Sequence, residues 1–298
     1  MKILSLFDGI ACWYEALQRA WIPIDKYYAS EIDKYAIQIA TKNHPDIIEI
    51  WDVKNVRGGE YLGIDLLIWG SPCQWFSVAG KQLNFEDPRS KLFFEYVRIL
   101  KESNPKYFLL ENVSMRREWI EIINRELWVE WVEINSNILS AQSRRRIYRT
   151  NIPSISLPEN PLYTLKDILL NEVEDKYRLN EQQVEKMRYL KWYKAIPRIK
   201  NWYEYIYREW AMSFPDRLDR SSRTLLTSEG TISRTTHVIG DNKWYRKLTP
   251  IECERLQTLP DNYTEWVSDS QRYKMLGNGR TVDVIKHIFS FIPKTDED

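Results

Sequence analysis

The stretch LSLFDGIACWYEAL, residues 4–17, reads as an apolar strand that breaks at Phe7-Asp8-Gly9 and continues as a helix. In a doubly wound α/β sheet, such a turn directs backbone N–H groups at the helix N-terminus toward the crevice where ligands bind. One glycine is much less than a GxGxxG fingerprint, so an ordinary strand-to-helix turn explains the same pattern. The stretch therefore predicts a strand and a helix, and leaves a ligand site open.

Apolar runs and longer amphipathic stretches alternate through the first 150 residues, which is typical of βαβ units around a parallel sheet. The candidate strands are KILSLF, DKYYASEI, IDLLIWG, KYFLLENV and VEINSNIL, and the helical patterns include WYEALQRAW, KYAIQIATKNH and SKLFFEYVRILKES. We therefore predict an α/β fold with a doubly wound sheet in residues 1–152.

The alternation is lost between residues 153 and 245, where the chain becomes rich in arginine, lysine, tyrosine and tryptophan. Helical patterning returns in TPIECERLQTL and RTVDVIKHIFSFI. We predict that residues 153–245 form a small inserted module and that residues 246–298 complete the first domain. Most of the aromatic residues in the module are best explained as its own core.

The composition limits the class of protein. Because 43 Lys and Arg residues are offset by 42 Asp and Glu residues, a strongly basic nucleic-acid coat is excluded, although a local basic face is not. The cysteines, Cys12, Cys73 and Cys253, have no CxxC spacing and predict neither a disulfide framework nor a metal site. With no long apolar segment or cleavage site at the N-terminus, we expect a soluble intracellular protein.

Two acidic side chains stand at the ends of the next strand-like runs. Glu31, in ASEIDKYA, follows the glycine turn by about 20 residues, where an acid can bind ribose hydroxyls. Asp52, in WDV, comes at the strand end after that. The turn and the two acids together indicate a nucleoside-type cofactor pocket, whereas each acid alone is equally well explained as a surface residue.

Cys73, in GSPCQ, follows the apolar strand IDLLIWG. A buried cysteine is more often inert than nucleophilic, but Pro72 fixes the backbone here and open α/β sheets place their chemistry at strand ends. Glu111, in FLLENV, ends the next strand and is an acid that can share the charge developing on the substrate of a thiolate. In AQSRRRIY, an extended backbone puts Arg144 and Arg146 on one side, although a solvated basic edge also explains them.

The segments LFDGIA, SEID, DV, GSPCQ, ENV, QSRRRIY, RKLTPIECERLQTLPDNYT and MLGNG appear in this order along the chain. Singly they are weak signals, but together they resemble the cytosine-5 DNA methyltransferase family, especially its de novo-type members and its phage and bacterial relatives. The resemblance covers nearly the whole chain except the middle module. It implies a doubly wound, Rossmann-like methyltransferase fold that uses S-adenosylmethionine and acts on a cytosine flipped out of duplex DNA.

The resemblance also implies roles for individual residues. Cys73 attacks cytosine C6, Glu111 holds and protonates N3, and Arg146 contacts the base carbonyl, with Arg144 and Gln142 supporting the site. The residues implied for the cofactor are Phe7, Asp8, Gly9, Glu31 at the ribose, Ile32, Asp52 at the adenine amino group, Val53, Pro72, Leu92 at the adenine face, and Asn278. Residues 153–245 become a target-recognition module, in which basic side chains meet phosphates and other side chains read base edges.

Double-stranded DNA is the implied partner. We expect a monomer without membrane association, in the cytoplasm of a bacterial or phage-infected cell, and no metal ion. The resemblance to restriction-modification methyltransferases adds the hypothesis of a restriction endonuclease partner, whereas the recognition sequence cannot be read from the chain.

Tryptophan stands at several positions where the family carries glycine, namely Trp13, Trp51, Trp69 and Trp75. The chain has 13 tryptophans and only ten glycines, whereas glycine averages about 7% of residues in globular domains. Arg149 and Arg280 likewise stand where de novo-type relatives have tryptophan. We hypothesise that the sequence is a translation made with the wrong genetic code, in which UGA triplets that encode glycine were read as tryptophan and reassigned codons that encode tryptophan were read as arginine. UGG codons at these positions would refute the hypothesis.

Three other functions fit part of the pattern. An RNA methyltransferase of the same family shares almost every catalytic residue, but the size and basicity of the middle module favour DNA. A binding protein without activity is disfavoured because Cys73, Glu111 and Arg146 are all retained. A nicotinamide-dependent enzyme is disfavoured because GxGxxG is missing and GSPCQ is present.

Overall fold

The computed structural model describes residues 1–70, 88–113, 117–158, 163–192, 194–200, 203–240 and 244–293. Three residues singled out above, Pro72, Cys73 and Trp75, lie outside the described residues. The predicted strands and helices of the first domain, and almost all of its predicted site residues, lie within them.

A seven-stranded sheet forms the centre of the molecule. Its strands are β1 Lys2–Leu6, β2 Lys26–Ser30, β3 Ile47–Glu49, β4 Leu66–Gly70, β5 Tyr107–Asn112, β6 Trp131–Asn135 and β7 Arg145–Thr150. They lie in the order β3-β2-β1-β4-β5-β7-β6, in which β3 to β5 are parallel and β7 is antiparallel to both β5 and β6. The strand order reverses between β1 and β4, and open α/β sheets bind ligands at such a switch point.

The α-helices of the described residues are α1 Cys12–Arg19, α2 Lys34–Asn43, α3 Pro88–Ser103, α4 Arg117–Leu127, α5 Glu181–Lys191, α6 Pro250–Leu256, α7 Asp269–Asn278 and α8 Val282–Phe289. Short 3₁₀ helices span Val53–Asn55, Gly58–Tyr61, Ser136–Ile138, Leu165–Ile168 and Asp175–Tyr177. No helix in these parts of the chain combines the length and the apolar character needed to cross a membrane.

Buried side chains alternate along the central strands and cover both faces of the sheet. In β4, Leu66 and Ile68 join one buried cluster with α1, α2 and α8, whereas Leu67 and Trp69 join a second cluster with α3 and α4. This alternation follows from the period of two residues in a strand, which lets a wholly apolar strand such as β4 pack against helices on both sides. The helix layers on the two faces confirm the predicted doubly wound α/β fold.

Residues 153–245 contain α5, the antiparallel ribbon of β8 Lys194–Lys200 and β9 Tyr203–Glu209, and the strand β10 Val238–Gly240, which pairs with β11 Tyr245–Lys247. The segment is joined to the sheet by buried contacts near its end. Leu225 belongs to the same buried cluster as α1 and α8, and its backbone N–H donates to the side-chain oxygen of Gln142 at 2.8 Å. The division at residues 152 and 245 remains a prediction.

Candidate active site

A cavity of about 360 Å³ opens at the carboxyl ends of β1, β2, β4 and β5. The predicted site residues that line it are Phe7, Gly9, Glu31, Ile32, Leu92, Glu111, Arg144, Arg146 and Asn278. Asp8, Asp52, Val53 and Gln142 lie outside its lining, and Pro72 and Cys73 lie outside the described residues. One cavity therefore contains residues implied for the cofactor and residues implied for the base.

The glycine turn after β1 is held to the end of β2 by Glu31. The backbone N–H of Gly9 donates to one Glu31 carboxylate oxygen at 2.9 Å, and the N–H groups of Ile32 and Asp33 donate to the other at 2.7 and 2.9 Å. Gly9 has a φ of 68°, in the left-handed region that glycine adopts without strain. Glu31 thus fixes the turn that the sequence indicated as a ligand site.

Asp8 lies behind this turn, with 1% of its surface exposed. Its Oδ1 accepts hydrogen bonds from the hydroxyls of Ser5 and Tyr27, both at 2.5 Å. Burial raises the pKa of Asp8 to about 6, against the opposing effect of these hydrogen bonds and of Arg280. Asp8 therefore supports the turn from below.

Glu49, at the end of β3, is an acidic group that the sequence reasoning missed. Burial and the neighbouring carboxylates of Asp8 and Glu31 raise its pKa to about 7. In the described part of the chain, neither of its buried carboxylate oxygens has a hydrogen-bond partner. The sequence feature that could have identified Glu49 is its place as the last residue of a short strand, where acidic side chains can reach a ligand site. Three carboxyl groups thus gather at this edge of the sheet.

Asp52 and Val53 take structural positions. The Asp52 carboxylate accepts the N–H of Lys54 at 3.0 Å and caps the 3₁₀ helix Val53–Asn55. Val53 is buried in the cluster that contacts α3. Neither side chain reaches the cavity lining, so their implied contacts with the cofactor remain predictions.

Glu111 and Arg146 form a buried ion pair on the other side of the cavity. Glu111 lies near the end of β5, and Arg146 lies on the adjacent antiparallel strand β7. The Arg146 Nε is 2.9 Å from Glu111 Oε1, and the two side chains are only 10% and 7% exposed. Because a buried carboxylate needs a charged or hydrogen-bonding partner, the pair explains why both groups can sit at the floor of a cavity.

Arg144 and Gln142 connect β7 to neighbouring elements. The Arg144 guanidinium donates to the carbonyl oxygens of Gly279, Leu225 and Gly277 at 2.7, 3.1 and 3.3 Å. The fully buried Gln142 side chain donates to the Leu256 carbonyl at 3.1 Å. Arg144 thus lines the cavity and holds the loop around Asn278, whereas Gln142 supports the site from within the core.

Arg280 is a cavity residue whose site role the sequence reasoning missed. Its guanidinium contacts Glu111, Gly70, Phe7 and Asp8, and its side chain is 8% exposed. The sequence marked the position as a departure from relatives, but no spacing rule connects residue 280 with residue 111. Only the fold brings them together.

Gly70 ends β4 and is the last described residue before Cys73. It lines the cavity and is the direct partner of Glu111 in the parallel pairing of β4 and β5. The chain therefore leaves the sheet toward Cys73 from a point beside the Glu111–Arg146 pair.

The residues on the β1–β2 side fit the implied cofactor, S-adenosylmethionine. The left-handed Gly9 leaves its Cα open, because a Cβ built there would meet only Arg280 Nη1, at 3.7 Å. The Glu31 carboxyl group lines the cavity and can accept hydrogen bonds from ribose hydroxyls, and Ile32 and Leu92 add apolar surface.

A family model described as C-5 cytosine-specific DNA methylase matches residues 1–119 and 129–294. Among curated proteins, the chain is similar to the type II methyltransferase M.Sau3AI of Staphylococcus aureus, with 30% identity over 99% of this chain and 96% of that protein. It is equally similar to the type II methyltransferase M.FnuDI of Fusobacterium nucleatum, with 30% identity over 99% of this chain and 95% of that protein.

Among solved structures, the Dnmt2 methyltransferase of S. pombe superimposes with a TM-score of 0.71. The alignment covers 98% of both chains at 19% identity, which shows the shared fold. The predicted methyltransferase fold is thereby confirmed.

Proposed function

Because the chain belongs to the C-5 cytosine-specific DNA methylase family and is a DNA (cytosine-5-)-methyltransferase, we propose that Glu111 and Arg146 bind the target cytosine and that Cys73 attacks it. The observation that supports these roles is the buried ion pair of Glu111 and Arg146, 2.9 Å apart, beside the strand end from which the chain continues to Cys73. A planar guanidinium and a carboxyl group together match the carbonyl oxygen and ring nitrogen of cytosine.

The Cys73 thiolate forms a bond to C6 of a cytosine flipped out of the duplex, and the electron pair of the C5–C6 double bond moves to C5. Glu111 donates a proton or hydrogen bond at N3 and Arg146 donates to the carbonyl oxygen, so the negative charge is spread over the ring. C5 then bonds to the donor's methyl group, and the donor sulfur keeps the electron pair of the broken C–S bond. Solvent water takes the C5 proton, and the electron pair of that C–H bond restores the C5–C6 double bond as the Cys73 thiolate leaves.

Methyltransferases of this kind use S-adenosylmethionine, which supplies an electrophilic methyl group on a sulfonium sulfur. In this chain, the residues that we propose to hold it are Phe7, Gly9, Glu31, Ile32, Leu92 and Asn278. Asp8 contributes indirectly, by stabilising the turn that contains Phe7 and Gly9.

The partner is double-stranded DNA, which we propose is read by the module at 153–245. We also propose that the enzyme acts as a monomer in the cytoplasm of a bacterial or phage-infected cell, as expected for a relative of bacterial type II methyltransferases. A cognate restriction endonuclease is part of the same proposal.

The test compares Cys73→Ala and Glu111→Gln with the parent chain. Each is made in the tryptophan form, which carries the sequence described here, and in the glycine form, in which Trp13, Trp51, Trp69 and Trp75 are replaced by glycine. Cys73→Ala should abolish methyl transfer and the stable adduct with 5-fluorocytosine DNA, since no thiolate adds to C6. Glu111→Gln should slow transfer by about 100-fold or more, the range of a lost general acid.

Both variants should bind S-adenosylhomocysteine within about threefold of the parent, because neither role involves holding the donor. A transfer RNA and a DNA duplex serve as alternative methyl acceptors. Substantial transfer by Cys73→Ala, or full activity of Glu111→Gln, would contradict the assigned roles, and methylation of RNA alone would contradict the assigned substrate.

A further inference from the structure

Arg280 lies in the short link between α7 and α8, and its guanidinium extends into the cavity. The link is held by Gln257, whose side-chain nitrogen donates to the Leu276 carbonyl at 2.7 Å and whose side-chain oxygen accepts from the Thr281 hydroxyl at 3.1 Å. The guanidinium also stacks on the buried indole of Trp13, 4.7 Å from its centroid. The side chain of Arg280 is therefore fixed from both ends.

The guanidinium joins the proposed base-binding acid to the strand end that leads to Cys73. Its Nε donates to Glu111 Oε2 at 3.3 Å, and its Nη2 donates to the carbonyl oxygen of Gly70 at 2.6 Å. Longer contacts reach the carbonyl oxygens of Phe7 and Asp8 at 3.3 and 3.5 Å. The shortest of these bonds thus holds the backbone three residues before the nucleophile.

Glu111 is consequently contacted by a guanidinium on each oxygen. Arg146 binds Oε1 from β7, and Arg280 binds Oε2 from the α7–α8 link. Two cations on opposite oxygens fix the plane of the carboxyl group, because rotation about the terminal bond would break both contacts. Arg146 is assigned to the base, so Arg280 is the partner available to hold Glu111 in place.

Gly70 is shaped to receive this guanidinium. A Cβ built on Gly70 would lie 1.6 Å from Arg280 Nη2 and 2.1 Å from its Cζ, so any side chain at residue 70 would displace Arg280. Gly70 and Glu111 are also direct neighbours in the sheet. The close approach of backbone and guanidinium is therefore a specific fit between β4 and Arg280.

We propose that Arg280 is a positioning residue for methyl transfer, which orients the Glu111 carboxyl group by anchoring it to the carbonyl oxygen at the end of β4. The inference rests on the role of Glu111 given above. It goes beyond that role because it assigns the orientation of Glu111 to an arginine on a distant part of the chain.

The experiment uses Arg280→Met, Arg280→Lys and Gly70→Ala in the full chain, in the tryptophan form and in a form with glycine at residues 51, 69 and 75 that keeps Trp13, because Trp13 contacts Arg280. Rates are compared with the parent of the same form. Arg280→Met should lower kcat by about 10- to 100-fold, the usual effect of removing a partner that orients an active-site group. Arg280→Lys should recover part of this loss, since one ammonium can bind Gly70 or Glu111 but lacks the fork that binds both. Gly70→Ala should reproduce the loss by displacing the guanidinium.

A double-mutant cycle separates positioning from structure. In the Glu111→Gln background, Arg280→Met should change kcat by less than about threefold, because the group that it orients has already lost its acid function. The Kd for S-adenosylhomocysteine should also stay within about threefold. Arg255→Met is the matched control, since Arg255 likewise joins a carboxylate, Asp261, to a backbone carbonyl, that of Ile168, outside the cavity.

An effect of Arg280→Met that is as large in the Glu111→Gln background as in the parent would overturn the proposal. So would a normal kcat in Arg280→Met or Gly70→Ala, or a loss confined to donor binding. A Glu111→Gln enzyme with full activity would instead refute the role of Glu111, which distinguishes failure of the proposed function from failure of this inference.

Discussion

Trp21, Trp51 and Trp128 hold the left-handed backbone conformation, with φ angles of 57°, 60° and 54°. For a bulky L-residue this region is a true outlier, because the Cβ approaches the following carbonyl, whereas glycine adopts it freely. All three indoles are also largely exposed, at 88%, 60% and 87%. Trp51 is one of the positions at which the sequence suggested glycine, and the other two extend the same pattern to new positions.

We predict that Trp21→Gly, Trp51→Gly and Trp128→Gly each raise the free energy of unfolding by about 1 kcal/mol, since the strain of a left-handed L-residue is about 1–2 kcal/mol. Part of that gain is offset by the greater freedom of glycine in the unfolded chain. Urea denaturation of the purified variants measures the change.

Trp266→Gly is the matched control, because Trp266 is an exposed tryptophan whose φ is not in the left-handed region. It should leave stability unchanged or lower it. Equal stabilisation by Trp266→Gly would show that removing any surface indole has this effect, and would remove the support that backbone geometry gives to the glycine hypothesis.

Asp8 makes stability depend on pH. Its pKa is about 6 in the folded chain, because of burial, and near its ordinary value of 3.8 in the unfolded chain. Folding at a pH between these two values is therefore coupled to the uptake of a proton by Asp8. The contribution of Asp8 to the free energy of unfolding is therefore greatest below pH 4, and it falls as the pH rises through 6. The expected fall is on the order of 3 kcal/mol at most, taking 1.36 kcal/mol per pKa unit.

We predict that Asp8→Asn flattens the dependence of the free energy of unfolding on pH between 4 and 7, measured by urea denaturation at fixed ionic strength. Glu49→Gln is the comparison, since Glu49 titrates with a pKa of about 7 in the same cluster and should change the curve at higher pH. An Asp8→Asn curve parallel to that of the parent would show that Asp8 is ionised throughout.

At the level of single elements, β7 contains a buried arginine, Arg149, whose guanidinium is only partly hydrogen-bonded. Arg149 is fully buried, and its Nε donates to Asn124 at 3.0 Å, but its Nη1 and Nη2 have no hydrogen-bond partner among the residues that the structure describes. Burial lowers its pKa to about 10. Because unpaired buried donors are costly, the strand carries a penalty at this position.

We predict that Arg149→Met raises the free energy of unfolding by about 1–3 kcal/mol, since the apolar side chain fills similar space without unpaired donors. Arg246→Met should do the opposite and lower it by about 3–5 kcal/mol. The Arg246 guanidinium is also buried, but it donates two hydrogen bonds to the Glu252 carboxylate, at 2.6 and 2.7 Å, in a bidentate pair. Thermal and urea unfolding distinguish the two signs, and destabilisation by Arg149→Met would refute the argument.

Elements with a strong period could be predicted, and short or mixed ones could not. The apolar run of β4 and the amphipathic pattern of α2 lie where the sequence indicated them. The three residues of β3 are too few to show a period, and α4 begins in the basic run before Trp119. The sequence predicts that Arg144 and Arg146 share one side only if QSRRRIY is extended. The strand β7, Arg145–Thr150, covers most of this segment.

At the scale of the whole molecule, sequence motifs identify the two halves of the site but not what joins them. Glu31, Glu111 and Arg146 were predicted because each stands in a recognisable motif, and all three line one cavity. The contact between Arg280 and Glu111 spans 169 residues, so it depends on how α7 and α8 return to the sheet. No local pattern contains that information.

We predict that exchanging residues 153–245 for the equivalent segment of a methyltransferase with a known recognition site transfers that specificity, because base-edge contacts carry sequence information and phosphate contacts do not. A second chimera keeps residues 220–229 of this chain, which include the buried Leu225 and its bond to Gln142. Methylation-sensitive sequencing of DNA from expressing cells measures the site.

The second chimera should be the better expressed of the two, since it retains the contacts that join the segment to the sheet. If both chimeras keep the original recognition sequence, the reader of DNA sequence lies outside residues 153–245. A change of recognition site in the first chimera only would place the reader within residues 220–229.

The fit of Arg280 against Gly70 has a consequence for how the gene can evolve. A mutation from glycine to alanine at residue 70 is harmful while arginine occupies residue 280, because the new methyl group and the guanidinium would need the same space. After arginine is lost from residue 280, the constraint on residue 70 disappears. Lineages descended from this gene should therefore show the two positions changing together, with alanine at 70 appearing only where a smaller residue has already replaced arginine at 280.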